Sequence, residues 1–478
     1  MNSRKLAIAA AIGLMGNTAQ QAFAADNTFF DNFTPGAATT TALPVGSPAE
    51  LTAPFVLSSP NFSQTLIANR ANQLALGQSN SGNWDMIDTN RTGPDAGRYL
   101  FMPFETGTGG VQRVDLWDTN FNTRTVTIVE SGTQGFVAGD ASRWTPWGTY
   151  LTAEESWSEP NQVASSKGRL FEVINPTTAG TNGAIFEHRK IGPADIRVSH
   201  EGLAFDKSNN FYFIDERNDS HIFKFTSTNP NATNGADFFS AGQTSVLRVG
   251  DGMTQEATGA YTWVALTNAA GAALANTIVK TDGNGLPILD GRATPNVVDF
   301  VGTNFDRPED LEIQTLADGS QRLYVATTTN SKVFSLDLSN NAISLFASRD
   351  TFDAATGAAV GSAFTSPDNL AIDAAGNIYI IEDQGSGRAN IWMGTDADRD
   401  GIAENVAVWA TLGTTGAEPT GLYFDLFDPN VAYVNIQHPS SGNDALFRIA
   451  AVPEPETYAM FLAGLGLMGM MSRRRMRG

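Results

Sequence analysis

Short apolar runs recur along the chain, each bounded by Asp, Asn and Gly. The clearest is Ser199-His-Glu-Gly-Leu-Ala-Phe-Asp206, which is followed after a polar turn by Phe211-Tyr-Phe-Ile-Asp-Glu-Arg217. The pattern returns at residues 366–373 and 376–383. Apolar runs of this length with turn residues between them predict antiparallel strands joined as hairpins. Each hairpin begins beside a carboxylate and ends in acidic residues.

Fainter copies occur at residues 307–313 with 323–327, and at 418–425 with 431–437. A tyrosine in the second strand marks each copy, with a spacing of roughly 55 residues that is slightly long for four short strands per repeat. The fold class predicted is therefore all-β, a six-bladed β-propeller with insertions between blades. Seven blades are the alternative, because the first and fourth marks are the weakest. The marks are Tyr99, Tyr150, Tyr212, Tyr261, Tyr324, Tyr379 and Tyr433.

The acidic residues of the repeat have two interpretations. Asp and Asn are common turn formers, so the repeat could be architecture alone. However, the first residues of equivalent innermost strands in a propeller all face one end of the central channel. Carboxylates at those positions are expected to converge.

The two ends of the chain differ in composition from the repeats. Residues 1–24 carry Arg4 and Lys5, a short apolar core and Ala22-Phe-Ala24, which predicts a secretory signal peptide. Residues 25–60 are predicted to be an irregular lead-in, residues 61–450 the propeller, and residues 452–478 a C-terminal sorting segment.

The C-terminal segment combines Val452-Pro-Glu-Pro455, an apolar run over 458–471 and an arginine cluster over 473–477. Its composition alone predicts a short membrane-anchoring helix. In this order of parts it resembles the PEP-CTERM sorting signal of Gram-negative bacteria. The resemblance implies transient inner-membrane retention, removal of the tail by an exosortase-type peptidase, and release to the cell surface or exopolysaccharide matrix. A permanent anchor is the alternative.

Composition excludes several classes of function. The chain has 30 basic and 50 acidic residues and a net charge of −20, which disfavours nucleic acid or an anionic membrane as a partner. It contains no cysteine, so thiolate nucleophiles, disulfides and thiolate metal sites are excluded. Walker-type loops, a serine nucleophile elbow and a zincin-type histidine pair do not occur in the sequence.

Six motifs resemble, in order, those of the PhoX-type alkaline phosphatases, and they cover roughly residues 90 to 450. The resemblance implies a six-bladed propeller that holds ferric iron and calcium at its channel mouth and hydrolyses phosphomonoesters. The motifs are Thr145-Pro-Trp-Gly-Thr, Thr152-Ala-Glu-Glu155, Arg197-Val-Ser-His-Glu201, Arg307-Pro-Glu309, Ser366-Pro-Asp-Asn369 and Asn435-Ile-Gln-His-Pro439.

The resemblance also implies roles for individual residues. Carboxylates expected to bind metal are Glu201, Glu309 and Asp368 as iron ligands, with Glu154 and Glu155 in further metal binding. Residues expected to take part in catalysis are Arg307, which would face the substrate phosphate, Glu309, and His200 as a candidate for proton transfer. The alternative for His200 is a hydrogen-bonded structural residue.

One position departs from the family. Five residues before Thr145 the family has a cysteine that ligates iron, and this chain has Asp140. A carboxylate can bind a hard cation, but it lacks the soft thiolate that helps to hold iron. Asp140 is therefore expected to be a metal ligand, with Ca²⁺ the expected cofactor and Fe³⁺ the open question.

A separate acidic loop reads Asp396-Ala-Asp-Arg-Asp-Gly401. Oxygen ligands at its first, third and fifth positions, with Gly at the sixth, are typical of a calcium loop. Position twelve is Ala407, so the closing Glu of an EF-hand is missing. Asp396, Asp398 and Asp400 are expected to bind a structural calcium, and a solvated turn is the alternative.

Two hypotheses about function follow. The first is a secreted, metal-dependent phosphomonoesterase of PhoX type that acts on phosphate esters. The second is a non-catalytic calcium-binding propeller that serves as an interaction module at the cell surface or in the exopolysaccharide matrix. The retained Arg307-Pro-Glu309 motif favours the first, and Asp140 favours the second.

Overall fold

Almost all regular structure in the protein is β-strand. The structure is a computed structural model, and it describes residues 28–36, 41–157, 167–181, 183–383 and 388–452. The predicted signal peptide and the apolar part of the predicted sorting segment lie outside the described residues. Within them there are 29 strands and two short α-helices, which confirms the all-β class. None of the described helices is long and apolar enough to cross a bilayer.

The strands form because apolar and β-branched runs alternate with turns closed by aspartate. Asp206 accepts hydrogen bonds from the backbone N–H groups of Ser208 and Asn210, both at 2.8 Å, and its second oxygen accepts from the Tyr212 hydroxyl at 3.0 Å. Asp373 makes the same bonds with residues 375, 377 and 379. Aspartate is favoured in turns for this ability to bond nearby backbone. The recurring tyrosine thus lies in the second strand, and its hydroxyl donates back to the aspartate of the turn before that strand.

The N-terminal part of the described chain contributes two strands to sheets built from the C-terminal half. It also contains the first α-helix and the first of four 3₁₀ helices, the others being at Thr133–Gly135, Thr294–Asn296 and Gly361–Ala363. Its elements are a 3₁₀ helix at Pro48–Leu51, β1 (Phe55–Leu57), β2 (Phe62–Asn69) and α1 (Arg70–Ala75).

Two four-stranded antiparallel sheets come next in the chain. The first comprises β3 (Asp88–Thr89), β4 (Tyr99–Pro103), β5 (Val111–Asp115) and β6 (Thr125–Val129). The second comprises β7 (Arg143–Trp144), β8 (Tyr150–Ala153), β9 (Leu170–Val173) and β10 (Phe186–Arg189).

The third and fourth groups of four strands are joined edge to edge by an added strand, β16, so that they form one nine-stranded sheet. A small separate sheet pairs β11 in parallel with β18, and β18 with β17. The elements of this region are β11 (Ile196–Arg197), β12 (Leu203–Phe205), β13 (Phe211–Ile214), β14 (Ile222–Ser227), α2 (Gly235–Phe238), β15 (Gly242–Val249), β16 (Gly259–Ala265), β17 (Val279–Thr281), β18 (Pro287–Asp290), β19 (Pro308–Thr315), β20 (Gln321–Thr327), β21 (Lys332–Asp337) and β22 (Ala342–Ala347).

The last two groups incorporate the N-terminal strands. β1 pairs with β26 as a fifth strand, and β2 pairs with the final strand, β29, from Phe62 opposite Ala451 to Asn69 opposite Ala445. Sequence-distant strands therefore share one sheet and close the ring. The strands are β23 (Pro367–Ile372), β24 (Ile378–Glu382), β25 (Asn390–Thr395), β26 (Asn405–Leu412), β27 (Glu418–Phe424), β28 (Val431–Gln437) and β29 (Ala445–Ala451).

The hydrophobic core is divided among the contacts between successive groups. Six clusters of buried residues each join two neighbouring groups, and one of them joins the last group to the first. First strands of neighbouring groups touch, as β12 does with β19 and β19 with β23. The described strands thus form a propeller-like ring around an axis. Six groups match the lower of the two predicted blade counts, and the count itself stays a prediction.

The predicted lead-in makes specific contacts with this ring. Phe30 is fully buried and packs edge-on against Phe62, Trp409 and Phe424, with ring centroids 5.4 to 5.6 Å apart. Burying an aromatic side chain stabilises by roughly 1.5–3 kcal/mol. Part of residues 25–60 therefore contributes to the core between the last two groups.

Candidate metal and phosphate site

Each of the six groups places one carboxylate at the entry to its first strand. Because the first strands surround the axis and enter from the same end, these six side chains face one mouth of the channel. We call them the inner ring. Its members are Asp85, Asp140, Glu201, Glu309, Asp368 and Glu418.

A second set of polar residues follows the second strand of each group. First and second strands are antiparallel, so the end of the second strand lies beside the beginning of the first. We call this set the outer ring, and it contains four carboxylates. Its members are Glu105, Glu155, Glu216, Thr328, Asp383 and His438.

Three inner-ring carboxylates come together most closely. One oxygen from each of Glu201, Glu309 and Asp368 lies within 4.8 Å of the others. The Oε2 atoms of Glu201 and Glu309 are buried and accept no hydrogen bond within the described structure, and the same is true of Oδ1 of Asp140. Buried carboxylate oxygens without partners are costly. The arrangement therefore fits a bound cation, which would satisfy these oxygens.

Electrostatics within the ring point the same way. Burial raises the pKa of Glu201 well above its usual range, and the neighbouring Glu309, Asp368 and Asp140 raise it further. Burial, followed by the charge of Glu216, raises the pKa of Glu309 to about 8. In these groups the ionised form is disfavoured by desolvation and by like charge. A cation at this position would favour the ionised form.

Arg307 is a basic residue that contacts one of the three carboxylates, Glu309, and two carboxylates of the outer ring. Its Nε lies 2.6 Å from Glu216 and 3.0 Å from Glu309, and its Nη1 lies 3.7 Å from Asp383. The side chain is 37% exposed, so it is held from one side and open to solvent on the other. Its φ of 57° is left-handed, which is uncommon outside glycine and is found preferentially at functional sites.

The remaining mouth residues form a hydrogen-bonded wall. His438 lies with Nε2 2.8 Å from Glu418 and Nδ1 2.9 Å from the Gly416 carbonyl oxygen. The bond to Glu418 raises the pKa of His438 to about 9. Next to it, the Gln437 amide donates to Asp85 at 2.5 Å and to Glu105 at 3.1 Å.

Of the residues predicted from sequence, the structure brings Arg307, Glu309, Glu201, Asp368, Asp140 and Glu155 to the mouth. Burial and the nearby Asp85 and Glu105 raise the pKa of Asp140 well above its usual range, so it lies in the electrostatic field of the ring. Burial raises the pKa of Glu155 as well, followed by the charge of Glu216.

The structure does not bring Glu154 and His200 to the mouth. Arg169 donates to both oxygens of Glu154, at 2.6 and 2.9 Å, and no part of this carboxylate is exposed. The ring of His200 is fully buried against Phe213, with centroids 5.5 Å apart, and burial lowers its pKa to about 3. Both residues adjoin a mouth carboxylate in sequence, and their side chains contact other parts of the protein.

Several mouth residues were missed in the sequence. Glu418 had a usable signal, because it begins a copy of the repeat just as Glu309 and Asp368 do. Glu216 and Asp383 also had one, since they stand where the second apolar strand ends in acidic residues. Asp85 and Glu105 had none, because β3 contains two residues and leaves no apolar run to mark the repeat.

Comparison with known families agrees with this geometry. The family model for alkaline phosphatase PhoX matches residues 134–440, most of the described ring. The chain belongs to the PhoX alkaline phosphatase family. This confirms the resemblance inferred from the six motifs. A second model, the PEP-CTERM protein-sorting motif, matches residues 451–475 and indicates export with membrane-associated processing by an exosortase.

More distant similarities add nothing about function. No curated relative matches the chain. A structural genomics protein of unknown function from Bacteroides thetaiotaomicron is 11% identical, with a TM-score of 0.41 over 81% of this chain and 76% of its own. An auxiliary nutrient binding protein from the same species is 9% identical, with a TM-score of 0.31 over 77% and 69%. The WD40 repeats of RRP9 are 7% identical, with a TM-score of 0.37 over 78% and 96%. Similarities this distant carry no argument.

The donor set at the mouth suits the metal dependence of the PhoX family. All the inner-ring side chains offer carboxylate oxygens, which are the ligands that hard cations such as Ca²⁺ prefer. The unpartnered oxygens of Glu201, Glu309 and Asp140 are available for coordination. The residues present therefore fit a bound cation, and they do not by themselves identify it.

The second acidic group of the described structure is the loop after β25. Oxygens of Asp396, Asp398 and Glu404 lie within 4.8 Å of one another, and Asp400 is not part of that group. The loop's own backbone already supplies donors: Gly401 N–H donates to Asp396 at 3.0 Å, and Ala397 N–H to Glu404 at 3.0 Å. The Asp400 carboxylate accepts from the Ile402 N–H at 2.8 Å. Calcium binding at this loop stays a prediction.

Proposed function

We propose that the protein is an exported, metal-dependent phosphomonoesterase whose active site is the acidic mouth. The observation that carries this proposal is the juxtaposition of Glu201, Glu309 and Asp368 with the partly exposed Arg307. Glu201 and Glu309 each have a buried oxygen without a hydrogen-bond donor. Membership of the PhoX family supports a phosphatase-like activity. The substrate class proposed is phosphate monoesters.

Cations held by Glu201, Glu309, Asp368 and Asp140 would bind phosphate oxygens and neutralise the charge that develops during hydrolysis. The protein's own contribution is to bind and orient. Arg307 presents a guanidinium group, which matches two phosphate oxygens at once. Glu216 and Glu309 hold that group in place, and the Thr328 hydroxyl donates to Glu309 and fixes the carboxylate in turn.

The proposal for localisation combines the two ends of the chain. Residues 1–24 would direct export as a signal peptide, and the sorting motif would retain the chain in the inner membrane until an exosortase removes the tail. The mature enzyme would then reach the cell surface or the exopolysaccharide matrix.

The alternative function is a calcium-binding propeller without catalysis, and one observation favours it. Asp140 occupies the position where the resemblance expects a cysteine ligand to iron. The site would then bind Ca²⁺ alone, and the acidic mouth would serve as a contact surface. Ca²⁺ and Fe³⁺ are therefore both candidate cofactors, and metal analysis of the isolated protein would show which of them it contains.

The decisive experiment is hydrolysis of p-nitrophenyl phosphate by the purified chain. It compares protein loaded with Ca²⁺, or with Ca²⁺ and Fe³⁺, with metal-free protein and with Glu309→Ala. Turnover that requires metal and is lost in Glu309→Ala supports the enzyme. An absence of turnover with every metal, while Ca²⁺ still binds, supports the interaction module instead. Asp140→Cys is expected to raise the bound iron if this position is a ligand.

A further inference from the structure

The described chain ends at the opposite end of the ring from the acidic mouth. Glu418 at the beginning of β27 lies at the mouth, opposite Gln437 at the end of β28. The turn between these strands therefore lies at the other end, and β29 finishes there: Ala451 N–H donates to the carbonyl oxygen of Asn430 in that turn. A seven-residue strand spans roughly 20 Å, so the two ends are about that far apart.

The sorting segment follows at once. Val452 N–H donates to the carbonyl oxygen of Asn61 at 2.9 Å, which fixes the exit point of the chain beside β2. Residues 452–457 separate the last strand from the apolar run that begins at Tyr458. Six residues reach at most about 20 Å even when fully extended. A membrane that holds the apolar run therefore lies close to the exit end of the ring.

Exposed aromatic side chains occupy this same end. Phe427, in the turn between β27 and β28, is 44% exposed, and its ring covers Gly97 in the turn between β3 and β4. Trp117, in the turn after β5, is 46% exposed and lies beneath Arg98, whose guanidinium carbon is 5.0 Å from the ring centroid. We call Trp117, Phe427 and Arg98 the exit patch. Aromatic side chains are favoured at the level of lipid headgroups. The charge of Arg98 is paired with Asp115 at 2.7 Å, so the membrane contact is assigned to the two aromatic rings.

We propose that the exit patch rests on the membrane surface while the sorting segment holds the chain, and that the acidic mouth then opens away from the bilayer. The occupant of the patch is the phospholipid headgroup layer of the membrane that carries the tail. Removal of the tail would release the protein without uncovering its site. The proposal concerns orientation and does not depend on the activity of the mouth.

The chain has no cysteine, so single labels can be introduced cleanly. The full-length protein is inserted in vesicles of phosphatidylethanolamine and phosphatidylglycerol, some of which carry a headgroup quencher. A fluorophore is attached to Asp428→Cys, at the exposed exit turn, or to Thr329→Cys, at the exposed lip of the mouth. Both variants must show the thermal unfolding of the parent chain before they are compared.

The expected result is that headgroup quenching is several-fold stronger for the label at position 428 than for the label at 329. Aqueous iodide is expected to quench the label at 329 more strongly. Equal headgroup quenching at the two positions, or stronger quenching at 329, would overturn the orientation. Adding Trp117→Ser and Phe427→Ser to the Asp428→Cys chain is expected to reduce its headgroup quenching. Unchanged quenching would overturn the contact assigned to the exit patch.

Discussion

Within the described residues there are two groups of three carboxylates, each with oxygens within 4.8 Å of one another, and the groups differ in which hydrogen bonds their oxygens already accept. At the mouth, Glu201 and Glu309 each retain a buried oxygen without a hydrogen-bond donor. In the loop after β25, the carboxylates of Asp396 and Glu404 accept backbone N–H groups of their own turn. The first group therefore has carboxylate oxygens that a cation could still satisfy, whereas backbone N–H groups of the same turn already bond to the carboxylates of the second group.

The comparison teaches that acidic spacing alone does not identify a metal site. The mouth carboxylates come from different blades, and Glu201 and Glu309 are buried, so no single turn can supply their donors. The loop carboxylates come from one stretch of nine residues and are partly exposed, so backbone and water can satisfy them. Variants in the two groups test whether only the mouth carboxylates bind a metal that matters for activity.

The largest effect is expected from replacing one carboxylate of the mouth group with an amide, compared with the same replacement in the loop group. Asp368→Asn removes a carboxylate from the mouth, so kcat/KM for p-nitrophenyl phosphate should fall by about 100-fold or more, the usual cost of losing one electrostatic contributor to a transition state. Its matched control is Asp398→Asn in the loop, which should leave kcat/KM and mouth metal content within error. If Asp398→Asn is as damaging as Asp368→Asn, the contrast is wrong.

Metal removal should act mainly through the mouth. A cation present at about 100 times its Kd stabilises the folded state by about 2.7 kcal/mol, so chelation should lower the free energy of unfolding by a similar amount. Thermal melts at pH 8 with and without Ca²⁺ measure this difference. The difference should vanish in Glu201→Gln with Glu309→Gln and persist in Asp398→Asn. A Ca²⁺-dependent stabilisation lost only in the loop variant would reverse the assignment.

The arginines beside the two groups offer a finer test. Arg307 contacts carboxylates and is half-exposed, whereas Arg322 donates to the backbone carbonyl groups of Asp400 and Arg399. Arg307→Lys should lower kcat/KM by about 10-fold, because lysine cannot present a bidentate group. Arg322→Lys should reduce thermal stability and leave kcat/KM unchanged. Loss of activity without loss of stability in Arg322→Lys would contradict this division of roles.

The smallest effect tests whether burial alone marks function. Burial lowers the pKa of His221 to about 4, and this residue lies in the turn after β13, where its carbonyl oxygen accepts from the Asp215 N–H. The unfolded chain takes up this proton near pH 6.5 and the folded chain only near pH 4, so stability should fall as the pH drops between these values. The slope from this group is at most about 1.4 kcal/mol per pH unit.

His221→Leu should flatten that acid dependence, as measured by denaturant unfolding at pH 5 and pH 7. Hydrolysis of p-nitrophenyl phosphate at pH 8 should remain at the parent level. Lost activity in a variant with parental stability at pH 8 would show that this buried histidine takes part in function.

The sequence repeat predicted the architecture because its marks have a structural cause. The Asp206, Asn210 and Tyr212 contacts recur at Asp373, so the tyrosine reports the turn before a second strand. Tyr261 is the exception, since it lies in β16, an added strand that joins two groups. An apolar alternation predicts a strand and cannot tell its position in a sheet, and this ambiguity is what left seven blades open.

For the site, the sequence identified the carboxylates that lie in or beside the six motifs, including Asp140 and Glu201 next to short strands, and it missed Glu418, which begins the long strand β27. It also included Glu154 and His200, which are immediate neighbours of mouth residues. Successive side chains along extended backbone point to opposite faces, so only one residue of each adjacent pair could face the channel. Which one does so depends on the register of the strand, and that register is set by pairing with distant residues.

The pairing of β2 with β29 has a consequence for how the protein is made. Phe62 and Ala451 are opposite one another, so the sheet that completes the circle cannot form until nearly the whole polypeptide has been synthesised. Contacts this distant in sequence form slowly. Until then the chain lacks the sheet that closes the ring. Because the pairing of β2 with β29 ends at Ala451, proteolytic removal of the residues after Val452 would leave this sheet, and so the closed ring, intact.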